Sequence, residues 1–149
     1  MTLKAIADAI AGRYAGTTAT VGSVTESLAF APTASLPNTL AKGPAIFVYH
    51  PQGVLDVGVS RIRRDEYDFP VRFLRDPVNY PERSDWLYAW HDALRDKVRD
   101  GDTLGLAYVS WANCTAVKVA LDEGEYGSTG TGYDVIEFTI RVHVGDIQP

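Results

Sequence analysis

Apolar residues recur along this chain with two spacings, and each spacing predicts its own kind of element. Tyr67, Phe69, Val71 and Phe73 alternate with Asp68, Pro70, Arg72 and Leu74, the period of two that marks a half-buried strand. Pro70 cannot donate to a ladder, so it is expected at an edge or on the unpaired side of that strand. Asp76 to Pro81 then breaks regular structure, because each proline fixes its own φ and turns the preceding residue away from helix. Beyond the break the period changes. Trp86, Leu87, Trp90, Leu94 and Val98 fall on one helical stripe, with Ser84 as the expected N-cap, Asp85 in the first turn and Gly101 just past the end. Such a stripe needs a sheet to cover.

The same two periods organise the rest. Thr2 caps a first helix with Leu3, Ile6, Ile10 and Tyr14 on one face and alanines between them, ending near residues 12–16. A Gly, Thr and Ser-rich segment to Glu26 supports at best a weak strand around Val21 and Val24. Residues 27–44 carry Leu28, Phe30, Leu36 and Leu40 among prolines and alanines, too long and too apolar for a routine connection. That loop either lies across its own domain or reaches a neighbouring subunit as an arm. Ala45 to Tyr49 reads as a central strand and Val54 to Ile62 as the next, with a turn around Gln52 and Gly53 between them. Arg63 to Glu66 forms a charged turn into the aromatic strand, which completes an antiparallel meander. Leu104 to Asn113 shows no clean period and stays open between loop and irregular strand. Thr115 to Leu121 and Tyr133 to Val144 are strands expected to pair as a hairpin around a glycine-rich turn at 122–132. In the last strand Ile136, Phe138, Ile140, Val142 and Val144 oppose Glu137, Thr139, Arg141 and His143, so one face meets a core and the other solvent or a neighbour.

The expectation is a single α+β domain over residues 1–149, a mostly antiparallel sheet of meander plus C-terminal hairpin covered on one face by two helices. A chain of 149 residues buries roughly two-thirds of its unfolded surface, enough for one core. Its 46% hydrophobic and 22% charged residues are ordinary globular usage, which argues against wholesale disorder. No apolar run approaches the roughly 20 residues of a membrane span and no signal-peptide pattern opens the chain, so the reading is a soluble cytosolic product without a membrane partner. Net charge of -5 argues against a protein that grips nucleic acid by neutralising phosphates.

Candidate chemistry is sparse. The run from Gly127 to Gly132 is followed by a strand and has no nearby lysine, so it reads as a turn and not as a phosphate loop. His50, His91 and His143 lack a second ligand at metal spacing, and no G-x-S-x-G elbow is present. Ser84 and His91 lie roughly 10 Å apart along one helix, too far to share a proton. Cys114 stands alone, which fits a buried inert thiol and permits no internal disulfide. The acidic groups at 65–68, 96–102 and 122–125 lack EF-hand spacing and read as solvated turns. Arg61 and Arg63 with Arg64 make the densest basic spot, expected to pair with carboxylates of this chain or a neighbour. No cofactor, metal or catalytic set is expected from these residues.

Several stretches together carry a resemblance. They are the opening helix from Leu3 to Ile10, Pro44-Ala45-Ile46-Phe47-Val48-Tyr49, the strand Tyr67 to Phe73, the helix from Trp86 to Val98, and the closing strand Tyr133 to Val144. In that order, in a chain of this length, they resemble the tail terminator proteins of long-tailed bacteriophages; residues 27–44 depart from the pattern by their proline and alanine content. The resemblance implies a structural virion protein at the junction of tail and neck, assembled in the host cytoplasm. It implies a homo-oligomeric ring, a hexamer, that caps the tail tube, ends its polymerisation and meets the head-side connector or stopper, with DNA passing through the lumen unbound. A cyclic ring needs two different patches per subunit. The expected contact residues are Leu28, Phe30, Leu36 and Leu40 on the loop, the basic Arg61 and Arg63, Glu137, Thr139 and Arg141 on the last strand, and Tyr80 and Trp111 as aromatic anchors. Two alternatives stay open: another neck protein such as a stopper or completion protein, and a small α+β hydrolase or ligand-binding domain.

Overall fold

The computed structural model describes residues 2–37, 43–55, 64–76, 82–126 and 130–145, and the structural statements below concern these residues. Helix α1 (Leu3–Tyr14) opens with Thr2, whose Oγ1 accepts a hydrogen bond from the Ala5 amide at 3.1 Å. Its buried face is Ile6, Ala7, Ile10, Ala11 and Tyr14, while Leu3 at the stripe's start is exposed. Gly16, at φ +72, turns the chain into a hairpin of β1 (Thr18–Val21) and β2 (Val24–Ser27). The sequence pattern supports only a weak strand there. Ala19 is the hairpin's one buried residue, so threonines rather than apolar alternation carry its faces.

The main sheet is wholly antiparallel, with β3 (Ala45–Val48), β5 (Arg64–Arg75), β7 (Gly130–Gly145) and β6 (Val109–Tyr126) in that spatial order, and β4 (Gln52–Val54) pairing β5 beyond the end of β3. Several boundaries differ from the sequence reading. The all-buried β3, which reads as central, ends the sheet, and its outer edge is closed by the 29–33 segment: the amides of Ala29 and Thr33 donate to the carbonyls of Pro44 and Ile46 at 2.8 and 3.2 Å, and the Val48 amide donates to the Thr33 carbonyl at 3.0 Å. Gln52 and Gly53 are strand and not turn; Gly53 is small because a Cβ there would stand 2.5 Å from the Tyr67 ring. Arg64, Asp65 and Glu66 belong to β5, since β7 runs alongside them and supplies Arg141 and His143 to Glu66. Most of the strand expected at 54–62 lies outside the described residues.

Pro70 is on an internal strand yet on its unpaired side. Its carbonyl accepts from the Tyr49 amide at 2.8 Å, so its nitrogen faces the gap where β3 has ended and β4 has not begun. The β6–β7 hairpin pairs as expected but is longer than the sequence suggests. The strands continue through 122–126 and 130–132, and β6 starts at Val109 with a register shift before Trp111 that erases the local period.

Helix α2 (Arg83–Leu94) begins one residue before Ser84, with Glu82 at the N-cap and no capping side chain, and it ends at Leu94, well short of Gly101. Trp86, Leu87, Trp90 and Leu94 are buried as the stripe predicts, and Val98 is buried beyond the helix end. Both helices cover one face of the sheet. Ile6, Ile10 and Tyr14 of α1 and the α2 tryptophans share a core with Phe69, Val71, Phe73, Ile136, Phe138 and Ile140. A second, smaller cluster of Ala45, Phe47, Leu74 and Val135 lies on the back face, with Leu36 packed against it. This is the α+β arrangement expected, with two helices on one side of an antiparallel sheet.

Candidate assembly surfaces

Two ion pairs, one buried and one partly buried, fix the scaffold. Arg83, whose Nε lies 2.9 and 2.8 Å from the two Asp134 oxygens and whose Nη2 lies 2.5 Å from Oδ1, ties the start of α2 to β7. Both side chains are at most 3% exposed. An arginine in the first turn opposes the helix dipole, and Asp134 supplies the anion that this position favours. Arg75 donates to Glu26 through Nε and Nη2 at 2.9 and 3.2 Å, the Trp90 indole donates to the same carboxylate at 2.8 Å, and the Arg75 guanidinium lies over the Trp86 ring. Glu26 thereby pins the β1–β2 hairpin to the edge of α2 and the end of β5.

The back face of the sheet carries cross-strand charge pairs. The β5–β7 register sets Arg72 opposite Glu137, Pro70 opposite Thr139, Asp68 opposite Arg141 and Glu66 opposite His143. Arg72 Nε donates to Glu137 at 2.5 Å, and its guanidinium lies 4.6 Å from the centre of the Tyr49 ring. Partial burial weighs against the Arg72 charge, but the hydrogen bond and charge of Glu137 outweigh it and hold the group above its usual range. Arg141 is bidentate to Asp68 at 2.9 and 3.2 Å and lies 3.1 Å from Glu66; the Asp68 hydrogen bond and charge raise it further. Trp111 meets the His143 ring edge-on at 4.8 Å. Glu137, Thr139, Arg141 and Trp111 thus lie on one face, where Glu137 and Arg141 are already paired within the subunit.

The other expected contact residues separate. Leu28 packs against the helix-side core and Leu36 against the back-face cluster, so the described part of the 27–44 loop lies across its own domain. Phe30 leans on Phe47 at 5.7 Å between ring centres yet stays 38% exposed. Leu40, Arg61, Arg63 and Tyr80 lie outside the described residues. Beyond Asp134, which pairs with the last residue of β5, the two strands of the β6–β7 hairpin pair only with each other among the described elements. The projecting element is this hairpin.

Two apolar surface features stand out, and only the second includes residues expected from the sequence, Leu28 and Phe30. The first sits where α2 stops covering β6: Tyr88, Val117 and Val119 are 64%, 49% and 37% exposed, and a cavity of about 90 Å³ separates Tyr88 and Leu87 from Val119. Val117 and Val119 stand opposite Phe138 and Ile136, hence on the helix-covered side of the sheet. The alternation of those valines was the available signal; their exposure depends on how far α2 reaches. The second is an open cleft of about 260 Å³ at the end of α1, bounded by Gly16, Thr18 and Ser27 on one side and Leu28, Phe30 and Pro32 on the other. Because Phe30 rests on β3 while Val119 belongs to β6, the two features lie at opposite ends of the strand order.

His91 stacks on Phe138 and its Nδ1 lies 3.0 Å from Asp92; His143 is held between Glu66 and Trp111; His50 is exposed. Burial pushes the Cys114 thiol up, the direction of an unreactive group. Among the described residues no cluster of His, Cys, Asp and Glu is placed to hold a metal, and no helix is long and apolar enough to cross a membrane. Set beside known proteins, the sequence matches no family model and no curated protein.

Proposed function

We propose that this chain is a structural assembly protein, the terminator ring of a long-tailed bacteriophage. In this reading copies join head to tail into a hexamer that caps the tail tube, stops its elongation and presents its other side to the head connector. One observation carries it: among the exposed apolar side chains, two unlike groups, Tyr88 with Val117 and Val119 and the cleft at Phe30, lie toward opposite ends of one sheet. Unlike patches are what a closed cyclic assembly requires, whereas a two-fold dimer uses one patch twice. The order of stretches in the sequence, which resembles that family along nearly the whole chain, supports a tail tube as the partner. The net charge of -5 suits a lumen through which DNA moves without adhering. The protein would then reside in the virion, at the junction of tail and neck.

Mass photometry of the purified chain tests the ring, with one species expected at six times the 16.3 kDa subunit mass. Adding that species to polymerising tail-tube protein tests the cap, with short, uniform tubes expected by electron microscopy. A chain that stays single at high concentration ends the proposal. A ring that leaves tube length unchanged but binds the portal-side adaptor replaces it with a stopper or completion protein.

A further inference from the structure

The ring reading leaves open which surfaces meet, and the two apolar features at opposite ends of the sheet answer that. Resting on that reading, we infer that Tyr88, Val117 and Val119 of one copy pack into the cleft between the α1–β1 corner and the 27–32 segment of the next copy. The cleft's volume of about 260 Å³ exceeds the roughly 150 Å³ that suffices for a benzene ring, so it has room for one aromatic side chain. Leu28, Phe30 and Pro32 offer apolar wall, and Thr18 and Ser27, register partners at the end of the β1–β2 hairpin, offer hydroxyls to a phenol. Tyr88, the most exposed large hydrophobic side chain among the described residues, is the ring that fits. The patch borders α2 on the helix-covered side, and the cleft lies at the end of α1, with its Phe30 wall resting on the back-face Phe47.

The occupant is a second copy meeting through side chains because backbone pairing is closed at the cleft end. Three hydrogen bonds with the 29–33 segment already occupy the outer edge of β3, so the outer edge of β6 cannot add to it. Contact between those two ends must therefore be made by projecting side chains and a receiving hollow. Three side chains cannot supply the roughly 800 Å² per partner of a stable interface; they form its anchored centre, with the β6–β7 hairpin free to extend the contact.

The test uses the full chain with Cys114→Ser, carrying Val117→Cys and Ala31→Cys together and treated with a short bismaleimide. Tyr88→Ala is measured alongside; its side chain is largely exposed, so the fold should persist and circular dichroism checks that it does. The inference expects a ladder of linked species ending at a closed hexamer on a denaturing gel. It also expects Tyr88→Ala to weaken association at least about 30-fold, the equivalent of a hot-spot side chain of about 2 kcal/mol. A ring that forms without the ladder and ignores Tyr88→Ala overturns this contact while the ring stands. Linkage through Val117→Cys alone, ending at a dimer, overturns it in favour of β6 pairing with β6. Absence of any assembly removes the ring reading and this contact with it.

Discussion

Replacing Asp134 by Asn is the sharpest probe of the scaffold, because it keeps the shape of the side chain and deletes only the charge. Arg83 would then sit nine-tenths or more buried, in the first turn of α2, with the helix dipole against it and the carboxylate that meets both its Nε and Nη2 gone. Breaking a buried pair by removing one partner costs about 3–5 kcal/mol, most of it the penalty of a stranded charge. With a urea m-value of about 2 kcal/mol/M, the midpoint should fall by about 2 M at unchanged slope. The companion Arg83→Met/Asp134→Leu removes both charges and should fall within about 1 kcal/mol of the parent, since the desolvation of the pair nearly cancels its attraction. Urea titration followed by tryptophan fluorescence reads both, as Trp86 and Trp90 lie on the same helix. A loss below about 1 kcal/mol for Asp134→Asn would falsify the claim that this guanidinium is sealed from water.

Three further perturbations follow from the geometry. Gly53→Ala drives a Cβ into the Tyr67 ring and the Glu66 carbonyl, and should cost about 1–3 kcal/mol; Tyr67→Ala combined with it should restore part of that loss, and additive melting temperatures would count against the clash. Thr2→Ala removes the cap on the Ala5 amide and should cost about 1 kcal/mol, whereas Thr2→Ser should recover most of it by thermal melt. Burial raises the Cys114 thiol above its ordinary value of 9.0. Below that pH both folded and unfolded chains hold the proton, and above it the unfolded chain loses its proton first, so stability falls as pH rises. Cys114→Ser should flatten this alkaline decline, and native Cys114 should react with a disulfide reagent more slowly than a free thiol; a rate equal to the free thiol's refutes the burial.

How much could be read without coordinates depended on whether the cause of a feature was local. The alternation in β7 and in the Tyr67–Phe73 part of β5, and the stripe of α2, are enforced by burial of one face and survive intact. The ends of the same elements are set from far away. Arg64 to Glu66 read as a turn by charge alone, but Arg141 and His143 across the sheet make them strand. Ser84 reads as the cap, but a carboxylate 51 residues distant fixes Arg83 inside the helix. The β1–β2 hairpin hid behind threonines because it buries little and is held by Glu26 reaching Arg75 and Trp90. The surfaces were hardest. Glu137, Thr139 and Arg141 were recognisable as a polar face, yet Glu137 and Arg141 are paired within the subunit, whereas the exposure of Tyr88, Val117 and Val119 is decided by how far α2 reaches sideways over β6. No sequence period encodes that.

The closed edge of β3 also bears on misassembly. A sheet whose two flanks were both free could recruit copies without limit, strand upon strand, and grow into a fibre. Here the 29–33 segment stoppers the outer edge of β3, so strand-upon-strand recruitment through β3 is blocked. Replacing Thr33 with proline removes one of the three hydrogen bonds that hold the segment there, and so weakens the guard on that edge.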